Sequence, residues 1–329
     1  MTARSTTRVI EPDTASIAEA VRVLASGGLV AFPTETVYGL GADATDGTAV
    51  ARLYEAKGRP AFNPLIAHVP DVKSAQTLVT FDHAAAALAA AFWPGPLTLV
   101  LPKAAACPVA ELATAGLDTL AVRMPNHPVA HAILEAFGKP IVAPSANRSG
   151  HVSPTTAAHV LADLAGCIDL IVDGGSTPVG VESTIVACLG KPMLLRPGGL
   201  PRDAIERVLK NTLHAAPPAA ADNEAVPLSP GMLATHYAPR TRLRLNAEHA
   251  EPGEALLAFG PVSPADAARA KIVLNLSPLG NPVEAAANLF AHLRALDSAG
   301  ASTIAVMPVP GGGLGEAVND RLARAAAGR

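Results

Sequence analysis

The chain has 329 residues and a formal net charge of −3, from 25 Lys and Arg against 28 Asp and Glu, a balance that excludes a generally polybasic protein, so any nucleic-acid contact has to use a local patch. Half of the residues are hydrophobic but only 3% are aromatic and 16% charged, so the core is built mainly from Ala, Val, Leu and Ile. The 27 Gly and 30 Pro show no collagen period and no long low-complexity tract, which excludes a fibrous or disordered chain.

The first residues, MTARSTTRVIEPDT, lack the apolar centre of a signal peptide. The longest apolar run, around residues 84–93, has about half the length of a membrane span. Cys107, Cys167 and Cys188 are widely spaced and form no CxxC pair, so neither a disulfide framework nor a zinc site is expected. The protein reads as cytosolic, with no membrane contact.

Asp13 or Thr14 caps a helix to about Ser26, stopped by Gly27 and Gly28. A short strand at 29–32 runs into PTETVYGLGADA (33–44), followed by a helix over 49–57 that Gly58 ends. Strands follow at 65–69, 97–101, 119–124, 141–143, 169–173, 183–187 and 193–196, with helices at 82–93, 128–137, 155–164 and 201–210. This alternation predicts an α/β domain over residues 1–212. Residues 213–227, LHAAPPAAADNEAVP, lack apolar periodicity and read as a linker. Beyond residue 239 come strands at 243–245, 255–259, 271–276 and 303–307 with helices at 264–270, 282–298 and 315–327, a smaller Rossmann-like α/β domain.

No G-x-x-x-x-G-K-[ST] loop exists, and GGGLGEA (311–317) lacks the G-x-G-x-x-G spacing, so it reads as a strand-to-helix turn. Polar residues gather instead beyond strand ends, where α/β proteins place ligands. The first cluster is Thr34, Glu35, Thr36 and Tyr38, unusually polar for the competing reading, a turn whose threonines bond their own backbone. In the second, Lys57 and Arg59 flank Gly58 at a helix end; they suit an anion, or the helix dipole. Asn63 precedes Pro64, and His68 alternates with Ile66, so a turn and a core histidine are the competing readings. The third cluster, APSANRSGHVSPT (143–155), offers Ser145, Asn147, Arg148, Ser149 and Ser153 as an anion nest or an Asx/Ser turn. Arg123 ends one strand, and Arg196 and Ser183–Thr184 lie on two others; strand arginines need carboxylates or phosphates as partners, an internal salt bridge being the competing account. No nucleophilic triad, carboxylate pair or metal spacing stands out. The inventory suits positioning and charge stabilisation of a polyphosphate.

Seven co-linear segments carry a more specific signal: PTETVYGLGADA, KGRPAFNPLIAHV, PGPLTLVLP, LAVRMPNHP, APSANRSGHVSPT, VESTIV and LLRPGG. Together, over residues 14–210, they resemble the YrdC-like domain of threonylcarbamoyl-AMP synthases, and residues 229–329, with SPGMLATHYAP and GLGEAVNDRLARAAA, resemble the C-terminal domain of the two-domain form. The resemblance implies a YrdC-like twisted mixed sheet with flanking helices. It implies synthesis of threonylcarbamoyl-AMP from L-threonine, bicarbonate and ATP with release of pyrophosphate, the first step of tRNA threonylcarbamoyladenosine modification. Carried over by motif, Thr36, His68, Arg123 and Ser183 would hold threonine. Lys57 and Arg59, also the catalytic pair, would hold ATP with Asn63, Ser145, Asn147, Ser153 and Arg196; Thr119 and Ala143 are weaker candidates. Residues 213–238 would reach back over the site, pointing to Tyr237 and His236. Mg2+ would come with ATP, and a threonylcarbamoyl transferase complex would take the product, with direct contact to tRNA left open. The rival of another class is an RNA-binding module using Lys57, Arg59, Arg123, Arg148 and Arg196; a steep salt dependence would mark it.

Overall fold

A computed structural model describes residues 6–215, 228–229 and 236–327; most of the expected linker, 216–227 and 230–235, lies outside them. The first unit begins with strand β1 (Arg8–Ile10) and helix α1 (Thr14–Ala25), which Asp13 caps by accepting the Ser16 amide at 2.7 Å. Such a cap stabilises a helix by about 0.5–2 kcal/mol. Then come β2 (Val30–Pro33), β3 (Tyr38–Asp43), α2 (Gly47–Lys57), β4 (Ile66–His68), α3 (Val72–Leu78) and α4 (His83–Phe92). Asp46, Asp71 and Asp82 cap these three helices in the same way, and Gly58 closes α2 with a φ of 58°. The chain continues through β5 (Leu97–Pro102), α5 (Glu111–Thr114), β6 (Thr119–Arg123), α6 (Pro128–Phe137), β7 (Ile141–Val142), α7 (Ala157–Leu164), β8 (Leu170–Val172), β9 (Thr184–Ala187), β10 (Met193–Arg196), α8 (Arg202–Leu209) and β11 (His214–Ala215).

These eleven strands form one mixed sheet in the order β1-β8-β2-β3-β7-β4-β6-β5-β9-β10-β11. Residues 38–43, within the PTETVYGLGADA segment for which no strand is predicted, form β3 and pair antiparallel with β2. The glycines that disguised this strand are what its packing needs: a Cβ on Gly41 would lie 2.7 Å from the Phe32 ring and 3.1 Å from Ile141. Thr34–Val37 is therefore a hairpin turn, held by the Thr34 hydroxyl donating to the Val37 carbonyl at 2.7 Å.

Residues 242–306 hold a second, all-parallel sheet of β12 (Arg242–Arg244), β13 (Ala255–Ala258), β14 (Val273–Asn275) and β15 (Thr303–Val306), in the order β12-β15-β13-β14. Helices α9 (Pro264–Arg269), α10 (Pro282–Ser298) and α11 (Gly315–Ala327) complete this Rossmann-like unit. One apolar cluster spans both units, joining Val37, Val152 and Val181 to Leu289, Phe290 and Leu293 of α10. Gly180 makes the approach close: a Cβ there would sit 2.4 Å from the Ala286 carbonyl oxygen. Arg294 crosses the same junction to Asp163 at 2.9 Å, and Arg202 meets Glu316 at 2.5 Å.

Candidate active site

The cleft opens between the β2–β3 turn, the ends of β4 and β6, the 143–145 segment after β7, and β9–β10. Thr36, Arg59, Ile66, His68, Arg123, Ala143, Ser145, Glu182, Ser183, Arg196, His236 and Tyr237 all border it. With these side chains in place its enclosed cavity measures about 40 Å³, room for a few waters.

Three guanidiniums reach its wall from different elements. Arg59 follows α2 and is clamped by carbonyl oxygens, Nε to Asn63 at 3.2 Å and Nη2 to Pro64 at 3.0 Å. Burial lowers its pKa to about 10, so it stays charged at neutral pH. Arg123 ends β6, donates from Nε to the Gly95 carbonyl at 3.3 Å, and lies 2.7 Å from Glu35. That ion pair is off hydrogen-bond alignment, leaving Arg123 Nη2 and both Glu35 oxygens buried without a hydrogen bond. Arg196 ends β10 and donates to the Ser183 carbonyl at 2.8 Å and its hydroxyl at 3.2 Å. The internal carboxylate partner thus exists for Arg123, while Arg196 uses the backbone of β9's approach.

His68 is buried at 2% exposure, with Nδ1 3.1 Å from the Ile66 carbonyl. Burial and the adjacent Arg123 hold its pKa down at about 3, so it is a neutral hydrogen-bonding group. His236 is likewise neutral, lowered to about 3 mainly by burial. Tyr237 adopts a φ of 63°, stacks on Phe290 at 5.5 Å, and packs under Arg321 at 5.0 Å. Burial raises its phenol pKa.

Other expected residues stand behind the wall. Lys57 does not border the cleft; its Nζ donates to the carbonyls of Ser145, at 2.5 Å, and Asn147, tying α2 to the 143–153 loop. Full burial, reinforced by Arg59, pushes its pKa well below the usual lysine range. Asn147 closes the loop by donating to Arg148 and His151 carbonyls at 2.7 and 2.9 Å. Asn63 contributes its carbonyl to Arg59. Thr119 starts β6 while Arg123 ends it, about 13 Å apart at strand rise, so it falls outside the cleft. Ser153 is fully buried and donates to Glu182. Tyr38 turns away to Gly175 and Asp173, and Arg148 is exposed with its Nε on the Asp163 carbonyl.

Two charged residues were not anticipated. Glu182 borders the cleft beside Ser183, and Arg321 of α11 meets it at 2.8 Å. Burial alone would raise the Glu182 carboxyl, but Arg321 and Arg196 outweigh it and hold the pKa at about 2. A signal was present: Arg321 sits in the buried stripe of α11 with Val318, Leu322 and Ala325.

Residues 22–198 match the Sua5/YciO/YrdC family, described as telomere recombination, and residues 200–327 match the threonylcarbamoyl-AMP synthase C-terminal domain. The chain is 42% identical to the threonylcarbamoyl-AMP synthase of Bacillus subtilis, covering 95% of this chain and 93% of that one. It is 45% identical to that of Pyrococcus abyssi, covering 91% and 90%. The crystal structure of P. abyssi Sua5 complexed with L-threonine superposes with a TM-score of 0.89 at 39% identity, covering 99% and 98% of the two chains.

Proposed function

The chain belongs to the threonylcarbamoyl-AMP synthase family, and from that premise we propose how its cleft carries out the reaction. The enzyme makes threonylcarbamoyl-AMP from L-threonine, bicarbonate and ATP, releasing pyrophosphate, as the first step of a tRNA modification. The observation that carries the residue assignment is the convergence of Arg59, Arg123 and Arg196 with the Thr36, Ser145 and Ser183 hydroxyls on one largely buried cleft.

Chemically, the threonine amine loses a proton and condenses with bicarbonate, giving the carbamate and water. A carbamate oxygen then attacks the α-phosphorus of ATP, and the bond to the β-phosphate oxygen breaks as pyrophosphate leaves. Positioning and charge stabilisation suffice for such a step. Arg123, pinned by Glu35 and Gly95, takes the threonine carboxylate, with Thr36, Ser183 and neutral His68 around it. A histidine with a pKa near 3 is a poor base at neutral pH, so His68 orients substrate rather than moving its proton. Arg59, Arg196 and Ser145 take the phosphates, and Lys57 and Asn147 hold the loop that presents Ser145. Tyr237 and His236 close the cleft against water.

Among the described residues no group of three His, Cys, Asp or Glu side chains could hold a metal, and the Glu182 oxygens are engaged by Ser153 and Arg321. Magnesium therefore suits a place on the ATP phosphates with water, offsetting charge on the leaving pyrophosphate. The product passes to a transferase acting on tRNA. A duplex-RNA surface is disfavoured because, of its five candidate cations, Lys57, Arg59, Arg123 and Arg196 are each 9% exposed or less and Arg148 alone is exposed. Among the described residues no helix is long and apolar enough to cross a membrane.

The test is pyrophosphate release from magnesium-ATP by the purified chain, with threonine and bicarbonate omitted in turn. Release requiring both is expected; release that needs neither would overturn the assignment.

A further inference from the structure

Glu182 is the carboxylate on a cleft wall otherwise furnished with arginines. An anion is unfavourable where a polyphosphate must sit, unless its charge is cancelled. Its Oε2 accepts from Arg321 Nε at 2.8 Å, and its Oε1 accepts from the Ser153 hydroxyl. Arg321 is wholly buried behind the wall, 139 residues away in sequence and on the other unit. It is held there by Asp320 at 2.5 Å and by the face of Tyr237 at 5.0 Å. Its Nη2 is buried without a hydrogen bond.

A buried ion pair contributes little to stability over a well-packed apolar pair of the same size. The domain junction already has such apolar contacts, from Val37, Val152 and Val181 to α10, and separate ion pairs at Arg294 and Arg202. What the pair changes is the charge of the cleft. Arg123 is offset by Glu35, so with Glu182 neutralised the wall keeps the full charge of Arg59 and Arg196. With Glu182 bare, half of that is cancelled beside Arg196.

We propose that Arg321 of the C-terminal domain is a positioning residue for ATP: it neutralises Glu182 and so makes the cleft receptive to a polyphosphate. The proposal rests on the reading that this cleft takes ATP. Docking of α11 and binding of ATP then favour each other, as linkage requires. Threonine, held at Arg123, is largely outside this coupling.

The test uses the full chain and its R321M, E182Q and E182Q/R321M variants. Magnesium-ATP binding is measured by titration calorimetry without threonine, KM for ATP and for threonine by pyrophosphate release, and folding by Tm. R321M is expected to weaken ATP about tenfold and change the threonine KM by less than about threefold. E182Q, which adds net positive charge, is expected not to weaken ATP. The double variant returns ATP affinity to within about threefold of the parent. A purely structural clasp predicts that both single variants weaken both substrates together, and that outcome overturns the proposal. If R321M does not fold, the double variant decides, since Glu182 is then uncharged and Asp320 keeps Arg324 at 3.0 Å: ATP about tenfold weaker there refutes the charge argument. Unchanged ATP affinity in folded R321M refutes it alone, whereas parent protein that needs no threonine for pyrophosphate release undoes the underlying functional reading.

Discussion

Replacing Arg123 with methionine removes a charge while keeping most of the side chain's length. Arg123 and Glu35 are 4% and 6% exposed and 2.7 Å apart, and no hydrogen bond to another group supports the Glu35 oxygens. Stranding that carboxylate costs about 3–5 kcal/mol. At about 2 °C per kcal/mol for a chain of this size, Tm falls by about 6–10 °C. Threonine binding loses a charge-assisted contact to its carboxylate, about 2–3 kcal/mol, or about 30–150-fold in Kd. The E35Q/R123M pair separates the two effects, because glutamine leaves no stranded charge. Its Tm recovers at least half of the loss, and its threonine affinity stays low. Differential scanning fluorimetry and threonine titration calorimetry read both. R123M that binds threonine like the parent, or a double variant that regains threonine affinity together with Tm, refutes the reasoning.

Two further perturbations test the cleft walls. His68 and His236 are neutral in the fold with pKa values near 3, whereas unfolded imidazoles titrate near about 6.5. The unfolded chain therefore takes up protons that the native state refuses. Their contribution is complete above the unfolded pKa and is lost as pH falls from there toward 3, about 1.4 kcal/mol per pH unit for each group. Urea midpoints at about pH 7.5 and 5.5 should show a shallower loss in His68→Gln than in the parent; parallel curves would count against the buried neutral imidazole. At Gly198, a Cβ would fall 2.4 Å from the Glu182 carbonyl oxygen and the Ser183 carbonyl carbon. Gly198→Ala should destabilise by about 1–3 kcal/mol and lower adenylate synthesis by shifting the approach to β9. An alanine variant with parental Tm and turnover would show that the backbone yields without cost.

Local chemistry made much of the fold legible. Asp13 and Asp82 mark their helix starts and Gly58 a stop, and α6, α10 and α11 form at the residues the pattern predicts. The sheet order was not legible, because its pairings join distant segments such as β3 with β7 and β5 with β9. The site divides in the same way. Thr36, His68, Arg123, Ser145, Ser183 and Arg196 are hydrophilic residues at strand ends or in adjoining loops and advertise themselves. Lys57, Asn147 and Ser153 have equally polar chemistry, yet their hydrogen bonds go to loop carbonyls and to Glu182, and Asn63 serves Arg59 through its main-chain carbonyl. Only three-dimensional placement tells a residue on a wall from the one that braces it. Glu182 and Arg321 escaped notice for the complementary reason: each reads as an ordinary charge until the two units meet.

The span between those two residues has a bearing on how the protein is made. Ribosomes add about 5–20 residues per second, and domains fold in the order they emerge. The 139 residues from Glu182 to Arg321 therefore take about 7–30 seconds to synthesise. Throughout that interval the first unit can collapse around an uncancelled carboxylate. On the role proposed for Arg321, a nascent chain holds nucleoside triphosphates more weakly until α11 is translated and docked.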